Sequence, residues 1–222
     1  MCGETKEVIF LSLNDIRSPV QKGEKAKILF AACSLIAGIL LGIFSKWLDN
    51  IALDNSIWWH RIIERLDLGN FFSEMTVWLL IALAIAVFSS SALMAALNVF
   101  AFFTGMCAAY HLYSILFAGF NPLSYMVIWY AIALVSPVLA ALCWYAKGKG
   151  IIPILLDTGI MTVFFLSCFS LGFLYVDLRG ILYLLVFIGA AAIIYRNPKQ
   201  TAISLSAGFL MAFLLNPIWP FK

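Results

Sequence analysis

Asp157 and Asn98 are polar side chains set deep in apolar stretches of the sequence. Asp157 lies in the apolar segment 151–175 and is followed by Thr158 and Gly159. At 1.5 Å of helical rise per residue, Asp157 and Asn98 each lie about 9 Å inside a predicted membrane-spanning segment. An isolated buried carboxylate is costly, so we expect Asp157 to be protonated, hydrogen-bonded or in contact with water. A carboxyl group that exchanges a proton there could couple transport to an ion gradient, with Asn98 beside it.

His111 is the second unusual residue, because the surrounding stretch "AAYHLYS" (108–114) is apolar and carries no charge. On a helix of 3.6 residues per turn, Thr104 and Ser114 share its face. Polar groups on other segments are predicted at a similar depth. These residues together form a predicted ligand-binding layer: His111, Thr104, Ser114, Glu74, Asn216, Ser167 and Ser170. The alternative is a structural hydrogen bond between His111 and a neighbouring helix.

His60 and Glu64 are spaced four residues apart and could hold a metal ion or perform acid–base chemistry. They fall in "NSIWWHRIIERLD" (55–67), an amphipathic segment whose tryptophans favour the membrane interface. No third ligand is visible, so a solvated helix face is the alternative. The five cysteines form no CxxC pair, and the sequence holds no HExxH, GxSxG or P-loop motif. We therefore predict no catalytic residues, no metal site and no cofactor.

The amino-acid composition indicates the environment of these side chains. Hydrophobic residues make up 64% of the 222 residues and charged residues only 11%, with a mean hydropathy of +1.02. Soluble domains carry about 25% charged residues. The apolar surface must therefore face lipid, which makes the bilayer a partner, and the net charge of +3 gives no case for nucleic-acid binding.

A bilayer core about 30 Å thick requires roughly 20 apolar residues per helix. Serines at 89–91, "GFNP" at 119–122, "DLRG" and "RNPKQ" divide the apolar sequence. The predicted fold is an all-α polytopic bundle of about seven membrane-spanning helices, at 28–45, 71–89, 92–118, 123–146, 151–175, 180–195 and 201–219.

Lys and Arg predict the orientation, because cytoplasmic loops are enriched in them. With the N-terminus inside and the C-terminus outside, nine basic residues lie on the cytoplasmic side and five outside. The predicted organisation is a cytoplasmic amphipathic and basic segment at 1–27 and a single transmembrane domain at 28–222. An interfacial helix near 55–67 lies outside, and the predicted location is the plasma membrane.

Ser34, Gly38 and Gly42 are spaced by four residues and form a small-residue face on the first span. Such a face lets a second helix approach closely, either within the protein or from a partner protein. The face resembles the first helix of the substrate-capture subunits of energy-coupling-factor vitamin transporters. The central region, "AALNVFAFFTGMCAAYHLYS" and onward, resembles uncharacterised bacterial polytopic membrane proteins, and that resemblance implies no function.

Three function classes are compatible with these observations. A carrier or substrate-capture protein for a small, largely apolar or aromatic molecule agrees with the sparse intramembrane polar groups and an aromatic content of 15%. A non-transporting accessory or regulatory subunit would bind a membrane or cytoplasmic protein partner through the small-residue face or the N-terminal segment. A membrane-embedded enzyme would use the histidines and carboxylates, which lack motif-level spacing.

Overall fold

The structure, a computed structural model, describes residues 13–219. Within that range the chain consists mainly of α-helices: α1 (Leu13–Ile16), α2 (Glu24–Asn50), α3 (Trp58–Arg65), α4 (Leu68–Ser73), α5 (Met75–Phe88), α6 (Ala92–Leu116), α7 (Leu123–Tyr145), α8 (Ile151–Cys168), α9 (Ile181–Ile194) and α10 (Pro198–Leu215). A short hairpin of β1 (Phe169–Leu171) and β2 (Val176–Leu178) follows α8, and a 3₁₀ turn at Asn216–Ile218 follows α10. The predicted all-α class is confirmed.

Five helices are long and apolar enough to cross a membrane: α2, α6, α7, α8 and α10. They make the chain a multi-pass membrane protein. Two further apolar helices, α5 and α9, have 14 residues each. At 1.5 Å per residue they rise about 21 Å, less than a typical hydrocarbon core.

Contacts between connectors define the two ends of the bundle. At the N-terminal end, the backbone N–H of Val20 donates to the Ser90 carbonyl at 2.8 Å, and the N–H of Lys149 donates to the Ile16 carbonyl at 2.7 Å. At the hairpin end, the Asn216 side chain donates to the Leu171 carbonyl at 2.6 Å. Residues 13–20 therefore pack against this end of the bundle, whereas residues 1–12 of the predicted N-terminal segment lie outside the described residues.

The predicted span 151–175 is wrong beyond Cys168, where the helix ends and the hairpin begins. Phe169 pairs with Leu178 and Leu171 with Val176 in antiparallel register. The tip is closed by a hydrogen bond from the Gly172 N–H to the Tyr175 carbonyl at 2.9 Å. Aromatic and β-branched residues on both sides of a glycine favour this hairpin, but their hydropathy equals that of a helix end.

The predicted span 71–89 is also broken near its start. Helix α4 ends at Ser73, Glu74 is extended (φ −85°, ψ 158°), and α5 begins at Met75. The Ser73 hydroxyl donates to the Asp49 carboxylate at 2.8 Å, which fixes the break against the end of α2. The break turns the Glu74 side chain toward the hairpin end rather than along a continuous helix.

Helix α3 carries the amphipathic segment, but its faces differ from the prediction. His60 is buried, and its Nδ1 accepts a hydrogen bond from the Asp54 N–H at 2.8 Å. Trp58 and Ile62 are instead exposed, at 66% and 45%. The prediction that His60 lies on the solvated face with Glu64 is therefore wrong, because the Asp54 turn folds back on the imidazole.

The small-residue face of α2 is occupied by α6. A Cβ added at Gly42 would lie 2.5 Å from the Met106 carbonyl oxygen, and one added at Gly105 of α6 would lie 2.5 Å from the Leu35 carbonyl oxygen. Gly38 meets the Phe102 backbone in the same way, and Ser34 is buried. The face thus packs within the protein and is not open to a second protein.

Candidate functional site

A cavity of about 470 Å³ lies between α5, α6, α7 and α8. Its wall is formed by aliphatic and aromatic side chains such as Leu79, Phe103, Ile132 and Phe164. Ligand pockets of about 300–1,000 Å³ hold drug-sized molecules, mostly through apolar contacts. The volume and lining therefore suit a small apolar or aromatic molecule.

Ser136 is a polar side chain in this wall, and its hydroxyl is already hydrogen-bonded. It donates to the Ala133 carbonyl at 2.9 Å. Pro137 follows it inside α7 and has no N–H, so it leaves that carbonyl without its usual helical donor. The hydroxyl compensates the proline, and the wall at this point is effectively apolar.

The large cavity opens sideways between α7 and α8. Its lining includes Leu139 of α7 and Leu155 of α8, which are 52% and 64% exposed on the lipid-facing surface. Gly159 stands one turn after Leu155, and a Cβ added there would meet no atom within 4 Å. The large cavity is therefore accessible from the side of the bundle rather than from its polar ends.

A smaller cavity of about 240 Å³ lies at the hairpin end. It contains an ion pair between Arg179 and Glu74, with Nη2 and Oε1 2.9 Å apart. The guanidinium also donates to the Ser167 carbonyl at 3.1 Å and lies 5.0 Å from the centre of the Tyr183 ring. This cavity contains two charged side chains, whereas the lining of the large one contains none.

At the N-terminal end, Asp157 pairs with Arg196, with Oδ2 and Nη2 2.6 Å apart and both side chains largely buried. Arg196 also donates to the Gly148 carbonyl at 2.9 Å. Arg196 comes from the connector between α9 and α10, 39 residues after Asp157 in the chain, so the sequence does not show that the two are neighbours. Asp157 is hydrogen-bonded, which was one of the expected states.

Asn98, which was predicted beside Asp157, is buried and donates to the Ser89 hydroxyl at 2.9 Å, so it stabilises the α5–α6 turn. Arg17 reaches the same region from the docked N-terminal segment. It donates to the carbonyls of Val87, at 3.0 Å, and Trp144, and stacks over the Trp144 ring. Burial lowers the pKa of the Arg17 guanidinium and that of the Lys147 ammonium in the adjacent connector.

His111 lies outside both cavities, between α6 and α7. One ring nitrogen hydrogen-bonds to the Tyr130 hydroxyl and the other to the Asn121 side-chain oxygen, at 2.7 Å for Asn121. Thr104 is exposed on α6, and the Ser114 hydroxyl donates to the Tyr110 carbonyl at 2.9 Å. His111 therefore makes structural hydrogen bonds to α7 and to the turn before it, as in the alternative prediction for the imidazole.

Some of the remaining predicted residues line a cavity and others do not. Glu74 and Ser167 line the smaller cavity. Asn216 is used in joining α10 to the hairpin, and Ser170 is exposed on β1. Arg179 was not among the predicted site residues, although it is the single base of "DLRG", a connector between two apolar segments.

Among residues 13–219, no group of three or more His, Cys, Asp or Glu side chains is placed to hold a metal ion. No protein-family model, known protein or solved structure matches the chain. The cavities and the groups that line them are therefore the basis on which a function can be inferred.

Proposed function

We propose that this chain is a carrier or substrate-capture protein of the plasma membrane that binds a small, largely apolar or aromatic molecule in the cavity between α5 and α8. The single observation that supports this function is the apolar cavity of about 470 Å³ with its lateral opening. A packed bundle without a binding role would fill such a space with side chains, because protein interiors are close-packed.

The proposed arrangement has seven crossings, with the N-terminus in the cytoplasm and the C-terminus outside. The contacts at the two ends of α5 support this arrangement. Its start is bonded to Arg179 at the hairpin end, and the turn that follows it accepts a hydrogen bond from Trp144 at the N-terminal end, so α5 runs from one end of the bundle to the other. The connectors 146–150 and 195–197 carry Lys147, Lys149 and Arg196 and no acid, as expected of cytoplasmic loops. Under this arrangement α5 and α9 are short spans.

Ion coupling through Asp157 is part of the proposal and takes a specific form. Because Oδ2 of the carboxylate is paired with Arg196, a cation that binds both carboxylate oxygens would have to displace the guanidinium. Coupling would therefore be linked to movement of the α9–α10 connector, which carries Arg196, relative to α8.

The test is to narrow the lateral opening. Gly159→Phe places a ring in the opening, since nothing lies within 4 Å of a Cβ there. Ala108→Phe is the matched control, because it adds the same ring to an exposed position of α6 away from the cavity. Both variants and the parent are purified in a neutral maltoside detergent, and copurifying small molecules are measured by mass spectrometry.

We expect Gly159→Phe to retain the fold and lower the amount of copurifying molecule by about tenfold, and Ala108→Phe to match the parent. Equal amounts of ligand in the parent and in Gly159→Phe would contradict the proposal. A stoichiometric protein partner with no small molecule would also contradict it and support the accessory-subunit alternative.

A further inference from the structure

The smaller cavity is adjacent to the larger one, so a charged space lies beside an apolar space. Met75, Ile132 and Trp219 line both. A molecule with an apolar chain in the large cavity would therefore place its other end beside Glu74 and Arg179. The charges of those two residues determine which head group can bind there.

The charges of the smaller cavity are balanced before any ligand enters. Arg179 and Glu74 are paired, with side chains 24% and 33% exposed. A head group with a single charge would attract one of them and leave the other without its partner in a partly desolvated site, which is costly. An uncharged head group could form hydrogen bonds with either residue but would gain no ionic attraction. A head group with both charges can insert between them and satisfy each.

The surroundings of each charge favour the same orientation of the head group. On the acidic side, Tyr125 and Trp129 line the cavity with Glu74, and aromatic faces attract ammonium groups. On the basic side, Arg179 provides a planar fork of donors suited to phosphate or carboxylate.

We propose that the ligand is a zwitterionic amphiphile, whose anionic group binds Arg179, whose cationic group binds Glu74 among the aromatic rings, and whose chain fills the apolar cavity. This inference rests on the proposed function, because it identifies the class of molecule that the same cavity takes. The shared chemistry could come from a membrane phospholipid or from a single-chain zwitterion.

The test compares head groups on one saturated chain: an alkylphosphocholine, an alkyltrimethylammonium, an alkyl sulfate and the corresponding alcohol. Binding of each at submicellar concentration is measured by native mass spectrometry of the full chain in maltoside. A diacyl phosphatidylcholine in the same assay distinguishes a bilayer phospholipid from a single-chain ligand. The variants are Glu74→Gln, Arg179→Gln and the double variant, with Arg65→Gln as a control that removes an exposed charge of α3.

We expect the parent and Arg65→Gln to prefer the phosphocholine over the alcohol by about tenfold. Arg179→Gln leaves Glu74 without its partner and should change the preference to the trimethylammonium. Glu74→Gln should change it to the sulfate. The double variant should bind the alcohol as tightly as any charged probe, and it keeps the experiment informative if a single variant folds poorly.

Equal binding of the alcohol and the phosphocholine by the parent would overturn this inference, as would single variants whose preference is unchanged. If the alcohol still bound and Gly159→Phe weakened it, the proposed function would stand without the zwitterion. If no amphiphile bound and Gly159→Phe changed nothing, both would fail.

Discussion

The substitution Asp157→Asn would remove the carboxylate charge from the most buried ion pair that the structure describes, while keeping the size of the side chain. Asp157 and Arg196 are 4% and 12% exposed, and their charged atoms are 2.6 Å apart. Loss of one partner from a buried pair costs about 3–5 kcal/mol, because the other charge stays buried and uncompensated. Arg196 keeps its bond to the Gly148 carbonyl and lies at the end of the bundle. We therefore expect about 3 kcal/mol for Asp157→Asn, the lower part of that range.

The assay is thermal unfolding of the purified chain in detergent. For a chain of this length, about 1 kcal/mol corresponds to 2–4 °C, so Asp157→Asn should unfold about 6–12 °C below the parent. The double variant Asp157→Asn/Arg196→Gln removes the uncompensated charge and should recover at least part of the loss, giving a coupling of about 1–3 kcal/mol in the cycle. Glu24→Gln is the matched control, because the Glu24–Lys27 pair has the same short distance but an 80% exposed carboxylate.

A parent-like Tm for Asp157→Asn would refute the reasoning, since it would mean that Asp157 is not a charged partner of Arg196 in the folded protein. A double variant less stable than either single variant would refute it as well. In that case both side chains would stabilise the bundle through separate contacts.

Two further predictions concern packing between helices. Gly42→Ser should reduce the free energy of unfolding by about 1–3 kcal/mol or more and lower Tm accordingly, because its Cβ would lie 2.5 Å from the Met106 carbonyl oxygen. Gly23→Ser is the control and should match the parent, because the space around its Cβ is open. His111→Ala should cost about 0.5–1.5 kcal/mol of stability, measured by thermal unfolding, because it removes hydrogen bonds to the exposed Tyr130 and Asn121 side chains. The amount of copurifying ligand in His111→Ala should equal that of the parent; a drop in ligand at unchanged Tm would return His111 to the binding site.

Hydropathy and helix breakers predict most of the helices, because lipid demands long apolar segments and the breaks between them are polar or rich in glycine and proline. The starts of α6 at Ala92 and α7 at Leu123 agree with the predicted spans. Hydropathy does not predict the hairpin at Phe169–Leu178 or the break at Glu74. Both are fixed by tertiary contacts, including the bond between Ser73 and Asp49.

The candidate site could be predicted only in fragments. Depth counted along a helix placed Glu74 and Ser167 in one layer, and both line the smaller cavity. Depth does not say which side of a helix faces a cavity, so it favoured His111, whose nitrogens are both occupied by neighbours. It also ignores long side chains that extend from connectors into the bundle, and for this reason Arg179 and Arg196 were missed.

Helices α5 and α9 lie side by side, with Leu80 in contact with Gly189, and neither is as long as a bilayer core is thick. On α9, Ile181, Leu185 and Ile188 are each more than half exposed, so under the proposed seven-crossing arrangement acyl chains would contact this short face. A helix of about 21 Å beside a hydrocarbon layer of about 30 Å creates hydrophobic mismatch, and lipids relieve it by thinning locally. The protein would therefore draw the two lipid leaflets closer together along one flank. Thinner membranes would accommodate it at lower elastic cost than sterol-rich ones.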